Sequence, residues 1–319
     1  MFHVASRHAA PEALNLSSAQ YSYPVEHKLN IPRRLARPSF TEPARDAVAR
    51  LDPGLASVPL EYIKKMLAGN ANETLTALSL LTIPSSLPCA HLPPSIDAPI
   101  RPSSNTPDAS AFPTHVFAIL SSRSSATTPT MATFADRSSL SPSTTVPLFP
   151  ASALVMAVHC SLLPPLPQTH RSAGRRAALT LPIVPLTVPS PETYALLHAY
   201  LHTMRPDTLL ASLLPSLASS LPQVSVSSSS MGSNKLVYVA QFSSDRLVRL
   251  ASALAGAAFQ RGGSTQAALS GLMAHIKVIN GLWQNVCALG VFDAELWGVM
   301  DLAWDVVLAA MTKVMENKA

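Results

Sequence analysis

Apolar positions recur every three or four residues along some stretches of this chain and alternate with polar ones along others. Leu60, Ile63, Met66 and Leu67 make one helical stripe. It predicts a helix over Val58–Ala68, with Ser57 as cap, Glu61 near the capping-box position and Gly69 ending the run. Thr41 can cap a preceding helix over Glu42–Leu51, with Pro43 in its first turn, and a third is expected around Glu73–Leu81. His115, Phe117 and Ile119 alternate against Val116 and Ala118, the period of a strand over Pro113–Leu120. Short strands are expected at Met131–Ala135 and Val146–Phe149, and a helix opened by Pro150 and running to Leu163. Leu181–Val188 reads as an apolar strand. Pro182 and Pro185 within it imply an edge or a bulge.

Ser190-Pro191-Glu192 reads as a helix start, with that helix reaching about Met204. Asp207–Leu214 follows, capped by Asp207 and stopped by Pro215. Lys235–Phe242 alternates like a strand, and Ser244–Phe259 is helical by pattern. Gly262-Gly263 breaks the chain. Ser264 caps a helix towards Cys287, Gly290 ends it in a left-handed cap, and Asp293 caps the last helix. That helix carries the stripe Trp297, Met300, Trp304, Val307, Leu308 and Met311, with Glu295, Asp301 and Asp305 off it.

Proline sharpens the division. Residues 84–222 hold 22 of the 29 prolines, and the 97 residues after Pro222 hold none. Helix interiors exclude proline, so Pro222 marks a boundary. The expected organisation is an irregular tail over 1–38 and a helical segment over 39–83. A Pro/Ser-rich loop over 84–112 and a mixed α/β region over 113–218 follow. A Ser-rich linker over 219–234 leads to a helical module over 235–319. The fold class expected is α+β and helix-rich, with several disordered Pro/Ser-rich inserts.

Composition narrows the class. Hydrophobic residues make up 48% of the chain and charged residues 13%, the latter about half the ~25% usual in globular proteins. Part of the chain must therefore bury surface. The net charge is +5 and the pI about 9.3, with small arginine clusters at Arg33, Arg34, Arg37 and at Arg171, Arg175, Arg176. Three separated cysteines suggest neither disulfides nor a metal site. No secretory leader and no apolar run of spanning length is evident, so a soluble, intracellular protein is expected.

The candidate chemistry is sparse. His198 and His202 are four apart on a predicted helix, a spacing that can share a metal. Neither a neighbouring glutamate nor a third ligand accompanies them. His159 and Cys160 are adjacent and so point in different directions. Asp301 and Asp305 share a face without a visible cleft. Phosphate loops and basic helix faces are lacking, so direct nucleic-acid binding is not expected. No cofactor and no enzymatic activity are expected. Trp283, Trp297 and Trp304 lie close together, either stapling the last two helices or lining a partner groove. The candidate partner-binding residues are Trp283, Val286, Leu289, Phe292, Trp297 and Trp304.

The segment Ile279-Asn-Gly-Leu-Trp-Gln-Asn-Val-Cys-Ala-Leu-Gly-Val-Phe-Asp293, with Leu296-Trp297 and Asp301-Leu-Ala-Trp-Asp305, is similar to the C-terminal signature of the fungal clampless family. Ile31-Pro32, Leu51-Asp-Pro53, Leu55–Ile63, Pro113-Thr-His115, Leu181–Leu186 and Pro189-Ser-Pro191 resemble further blocks of it. The resemblance implies a non-enzymatic regulator of sexual development in basidiomycetes, in the nucleus or cytoplasm or both, needed for clamp-like structures on the dikaryon. It implies protein partners, transcription factors of the mating-type pathway among them, and leaves homo-oligomers open. Residues 113–217 also resemble the element order of BTB/POZ interaction domains, although Phe149-Pro150 stands where those domains carry a His–basic pair. Two other readings remain: a metalloprotein or enzyme using His198 and His202, and a DNA-binding regulator using the arginine clusters.

Overall fold

The computed structural model describes residues 31–103, 107–122, 145–169, 177–224 and 238–316. The expected strand at Met131–Ala135, the second arginine cluster and the serine run 225–233 lie outside them. The chain divides into the units Met1–Arg33 and Arg34–Ala319. Ile31–Arg33, the described part of the first, carry no regular element. All that follows concerns the second.

Three helices come first: α1 (Arg45–Leu51), α2 (Leu60–Gly69) and α3 (Ala71–Leu80). Neither Thr41 nor Ser57 caps its helix, because a proline intervenes. Glu42 precedes Pro43 and Val58 precedes Pro59, and a residue before proline is pushed out of helical geometry. The α1 and α2 caps are therefore Ala44 and Pro59, without side-chain bonds. Val48, Leu60 and Ile63 pack with Ala157 and Val158 into a small core.

The mixed region holds a curled five-stranded sheet, β1 (Ser86–Pro88), β2 (Ser95–Pro99), β3 (His115–Ser121), β4 (Thr145–Ala151) and β5 (Ala178–Val188), in the order β1-β4-β3-β5-β2. β3 and β5 are parallel; the other pairs are antiparallel. The expected loop 84–112 thus contains two strands. Both are short and end in proline, so their strand character comes from pairing with β4 and β5 rather than from their own pattern. β5 lies between two strands, yet each proline has a partner strand on one side. Pro182 pairs with Ser95 of β2, Pro185 pairs with Ala118 of β3, and the β3 pairing begins only at Ile183. At each proline the strand is locally an edge, which is what a missing N–H requires. Val116, Ala118, Val146, Leu148, Leu181 and Ile183 form the main sheet core against Ala77 and Phe112.

Pro150 belongs to β4, opposite Val116, and does not open a helix. The helix is α4 (Ala153–His159), and the Ser152 hydroxyl accepts from Val155 N at 3.5 Å. α5 (Pro191–Thr203) starts where expected and ends on Met204, at φ 50°. α6 (Pro206–Leu213) is preceded by Arg205, not capped by Asp207. The Asp207 carboxylate is instead gripped by the Arg205 guanidinium at 2.8 and 2.6 Å.

Of the expected strand Lys235–Phe242, residues 235–237 lie outside the described residues and Tyr238–Gln241 form a 3₁₀ turn, whose Tyr238 ring meets that of Phe242 edge to face. Three long helices follow: α7 (Ser244–Gly262), α8 (Thr265–Leu289) and α9 (Ala294–Glu316). Local punctuation sets their ends. Ser243 and Ser264 accept from the N–H groups three residues on, and Gly263 and Gly290 take φ of 66° and 64°. α9 is not a one-sided helix. Leu296, Val299, Leu302 and Val306 are buried as well as Trp297, Met300 and Trp304, while Leu308 is half-buried. The buried face thus takes up most of the helix surface and leaves a stripe through Asp305, Ala309 and Thr312 exposed, and α9 packs against α6, α7 and α8. The fold is mixed α/β with a helical C-terminus. The strand, strand, helix, strand, helix order expected for 113–217 is present, but that order does not by itself establish a BTB fold.

Candidate partner surface at the turn between the last two helices

The stretch Ile279–Asp293 is the seam between the sheet region and the helical module. Asn285 is fully buried. Its Oδ1 accepts from Ser190 N at 2.9 Å, and its Nδ2 donates to Ser190 O at 2.7 Å and to Thr193 Oγ1 at 3.1 Å. One side chain thereby satisfies both main-chain groups at the start of α5. Gly281 allows the approach, since a Cβ there would stand 2.4 Å from Ser190 Oγ.

Gly290 serves a second joint. Its carbonyl accepts from Ser161 N at 3.1 Å and from Ser161 Oγ at 3.0 Å, while Leu162 N donates to Leu289 O at 3.1 Å. A Cβ on Gly290 would fall 2.2 Å from Ser161 Oγ. Asp293 ties a third point. Its Oδ1 accepts from Leu296 N at 2.8 Å, capping α9, and from the Tyr200 hydroxyl of α5.

The six candidate residues divide by depth. Val286, Leu289, Trp297 and Trp304 are buried, and Trp297 Nε1 donates to Val291 O at 3.0 Å. Trp283 and Phe292 are only partly buried. Beside them runs the segment Arg34–Phe40. Trp283 Nε1 donates to Ala36 O at 2.7 Å, and the Phe40 and Phe292 rings meet edge to face at 5.1 Å. The Arg37 guanidinium pairs with the Asp301 carboxylate and lies 5.4 Å from the Trp297 ring centroid. Nothing in the sequence pattern pointed to this segment, because its partners lie far along the chain.

Residues 38–189 match the Clampless protein 1 N-terminal domain, and residues 207–319 match the Clampless protein 1 C-terminal domain. The chain belongs to the clampless family. The family's domains mark it as a regulator of clamp formation in sexual development. Comparisons with curated proteins and with solved structures return no match. In this clampless chain the Gly290 joint to Ser161 links the two matched stretches, while α5, held by Asn285 and Asp293, falls between them.

The paired histidines sit inside the clampless fold, with ring centroids 4.2 Å apart. His202 Nε2 accepts from Ser152 N at 3.2 Å, so its Nδ1 carries the proton and donates to His198 O at 2.8 Å. His198 Nε2 donates to Pro150 O at 3.0 Å. Both nitrogens of His202 and one of His198 are thus spent on the protein. No group of three metal-ligating side chains occurs among the described residues. Burial lowers the pKa of both rings, that of His198 well below the ordinary value. His159 falls to about 4, from burial and then the nearby Lys64 charge. Burial pushes the Cys160 thiol up to about 12, the opposite of what a nucleophile needs. Asp301 is engaged with Arg37, and Asp305 is exposed on α9. No helix among the described residues is long and apolar enough to cross a membrane.

Proposed function

We propose that this clampless-family chain regulates sexual development through protein contacts, and that the face carrying Trp283 and Phe292 receives the partner. One observation carries the reading. Most of the signature has structural work inside the molecule: Gly281, Asn285, Gly290 and Asp293 build joints, and Val286, Leu289 and Trp297 fill the core. Trp283 and Phe292 are the large apolar side chains of Ile279–Asp293 that reach the solvent edge. Tryptophan at a surface is a favoured anchor for binding.

Transcription factors of the mating-type pathway are the first partners to test, and the nucleus and the cytoplasm are the compartments in which to look for them. The test is recovery of cross-linked partners from mating cells expressing the full chain, wild type against Trp283→Ala and Phe292→Ala. Loss of the same partners from both folded variants is expected. Undiminished recovery from both would refute the assignment of this face. A fluorescent fusion followed through mating tests the location.

A further inference from the structure

The face around Trp283 is already occupied by the chain itself, and the occupant shows what the face accepts. We propose that Arg34–Phe40 is a displaceable strap, and that the partner of this face is an extended peptide placing an arginine three residues before an aromatic side chain. The inference rests on the reading of this face as the partner surface.

Three subsites define the specificity. Trp283 Nε1 donates to the Ala36 carbonyl, a main-chain contact that any extended peptide can supply. Asp301 and the Trp297 ring together take the Arg37 guanidinium, one by charge and the other by its π-face. Phe292 takes the Phe40 ring on edge. The spacing Arg37-Pro38-Ser39-Phe40 sets the pattern.

The strap is held lightly. Leu35 and Pro43 are buried, but all seven residues between them are exposed. Phe40 is 69% exposed, and the ion pair has side chains 54% and 37% exposed. Exposed pairs of this kind hold weakly. The strap competes because it is tethered, which keeps its effective concentration high. A partner with the same pattern must overcome that occupancy, so its apparent affinity falls by the fraction of molecules with the strap seated.

A labelled peptide of this chain's own Arg-Leu-Ala-Arg-Pro-Ser-Phe-Thr-Glu is the probe, with fluorescence anisotropy on the full chain as readout. Leu35→Ser with Arg37→Ala unlatches the strap. Arg37→Ala with Phe40→Ala unlatches it while keeping Leu35, should the first variant misfold. The peptide is expected to bind either unlatched chain about tenfold more tightly than wild type, and adding Asp301→Lys should abolish the gain. Equal binding to wild type and both unlatched chains, no binding to either, or indifference to Asp301→Lys overturns the proposal. So does a wild-type dimer that dissociates on unlatching, which would place the strap on a second copy. Partner recovery from Trp283→Ala cells is scored separately, so the strap can fail while the partner surface stands.

Discussion

The sheet region and the helical module hold their backbones in different ways. β5 satisfies its main chain by pairing with β2 over Ala178–Pro182 and with β3 over Ile183–Val188, strands that lie far away in sequence. In α7, α8 and α9 each bond closes within one turn, and the ends are set by Ser243, Gly263, Ser264, Gly290 and Asp293. Proline is tolerated in the first region because a strand can present an edge locally, and it is absent from the second because a helix interior cannot. The difference teaches where the molecule is vulnerable. A region built from distant pairings depends on whatever holds its ends, and here Asn285 and Gly290 hold two of them.

The comparison can be broken at that seam first. Gly290→Val puts a β-branched residue at φ 64° and drives its Cβ into Ser161. A cost of about 4 kcal/mol is expected, from backbone strain and overpacking together. All three tryptophans lie in α8 and α9, so indole fluorescence reports the helical module while far-UV circular dichroism reports the whole. The two probes should coincide in wild-type denaturant melts and separate in this variant.

Asn285→Ala leaves the Ser190 N–H buried without a partner and takes one of several donors from the Ser190 carbonyl, and should cost about 3 kcal/mol in the same melts. Acid offers a contrast without mutation. His159, His198 and His202 are buried neutral on α4 and α5, with pKa values below those of the unfolded chain. Their contribution is present above about pH 6.5 and is lost as pH falls towards the folded values. For His159 alone, with its pKa at about 4, the loss by pH 4 is about 3 kcal/mol. Denaturation midpoints measured from pH 7 to pH 4 should fall throughout, and a flat profile would contradict the buried cluster.

Smaller changes sharpen the picture. Trp283→Ala removes a half-buried ring and its bond to Ala36, an expected loss of about 2 kcal/mol in the thermal melt. Ser264→Ala removes one cap from α8 and should cost about 1 kcal/mol, with the two probes still coincident. If the cap variant separated the probes and the seam variants did not, the roles given to local and distant contacts would be reversed.

The same division decides what the sequence discloses. The capping roles of Ser264, Gly290 and Asp293 were legible because each cap acts on groups within four residues of itself. The ends of α1 and α2 were misplaced where a hydroxyl cap was preferred over the constraint a following proline puts on Glu42 and Val58. β1 and β2 were invisible because three and five residues, each run ending in proline, carry no period. Asn285 stood in the quoted signature without a role, since its partner Ser190 is brought to it only by the fold. Among the six candidate partner residues, depth was what the sequence lacked. The Trp297 stripe was visible, but not how far burial extends around α9, to Leu296, Val299, Leu302 and Val306. The strap was hidden for the same reason, because Ala36 and Trp283 meet only in three dimensions.

Clamp formation itself gives the most direct test of the claim that the seam's buried residues serve the fold and its half-buried tryptophan serves a partner. Dikaryotic cells lacking the chain would be complemented with wild type or with Trp283→Ala, and both protein level and clamp-like structures would be scored. A loss of about 2 kcal/mol should leave most molecules folded. The account predicts that Trp283→Ala accumulates near the wild-type level and fails to restore the structures. Full restoration by the folded variant would contradict it.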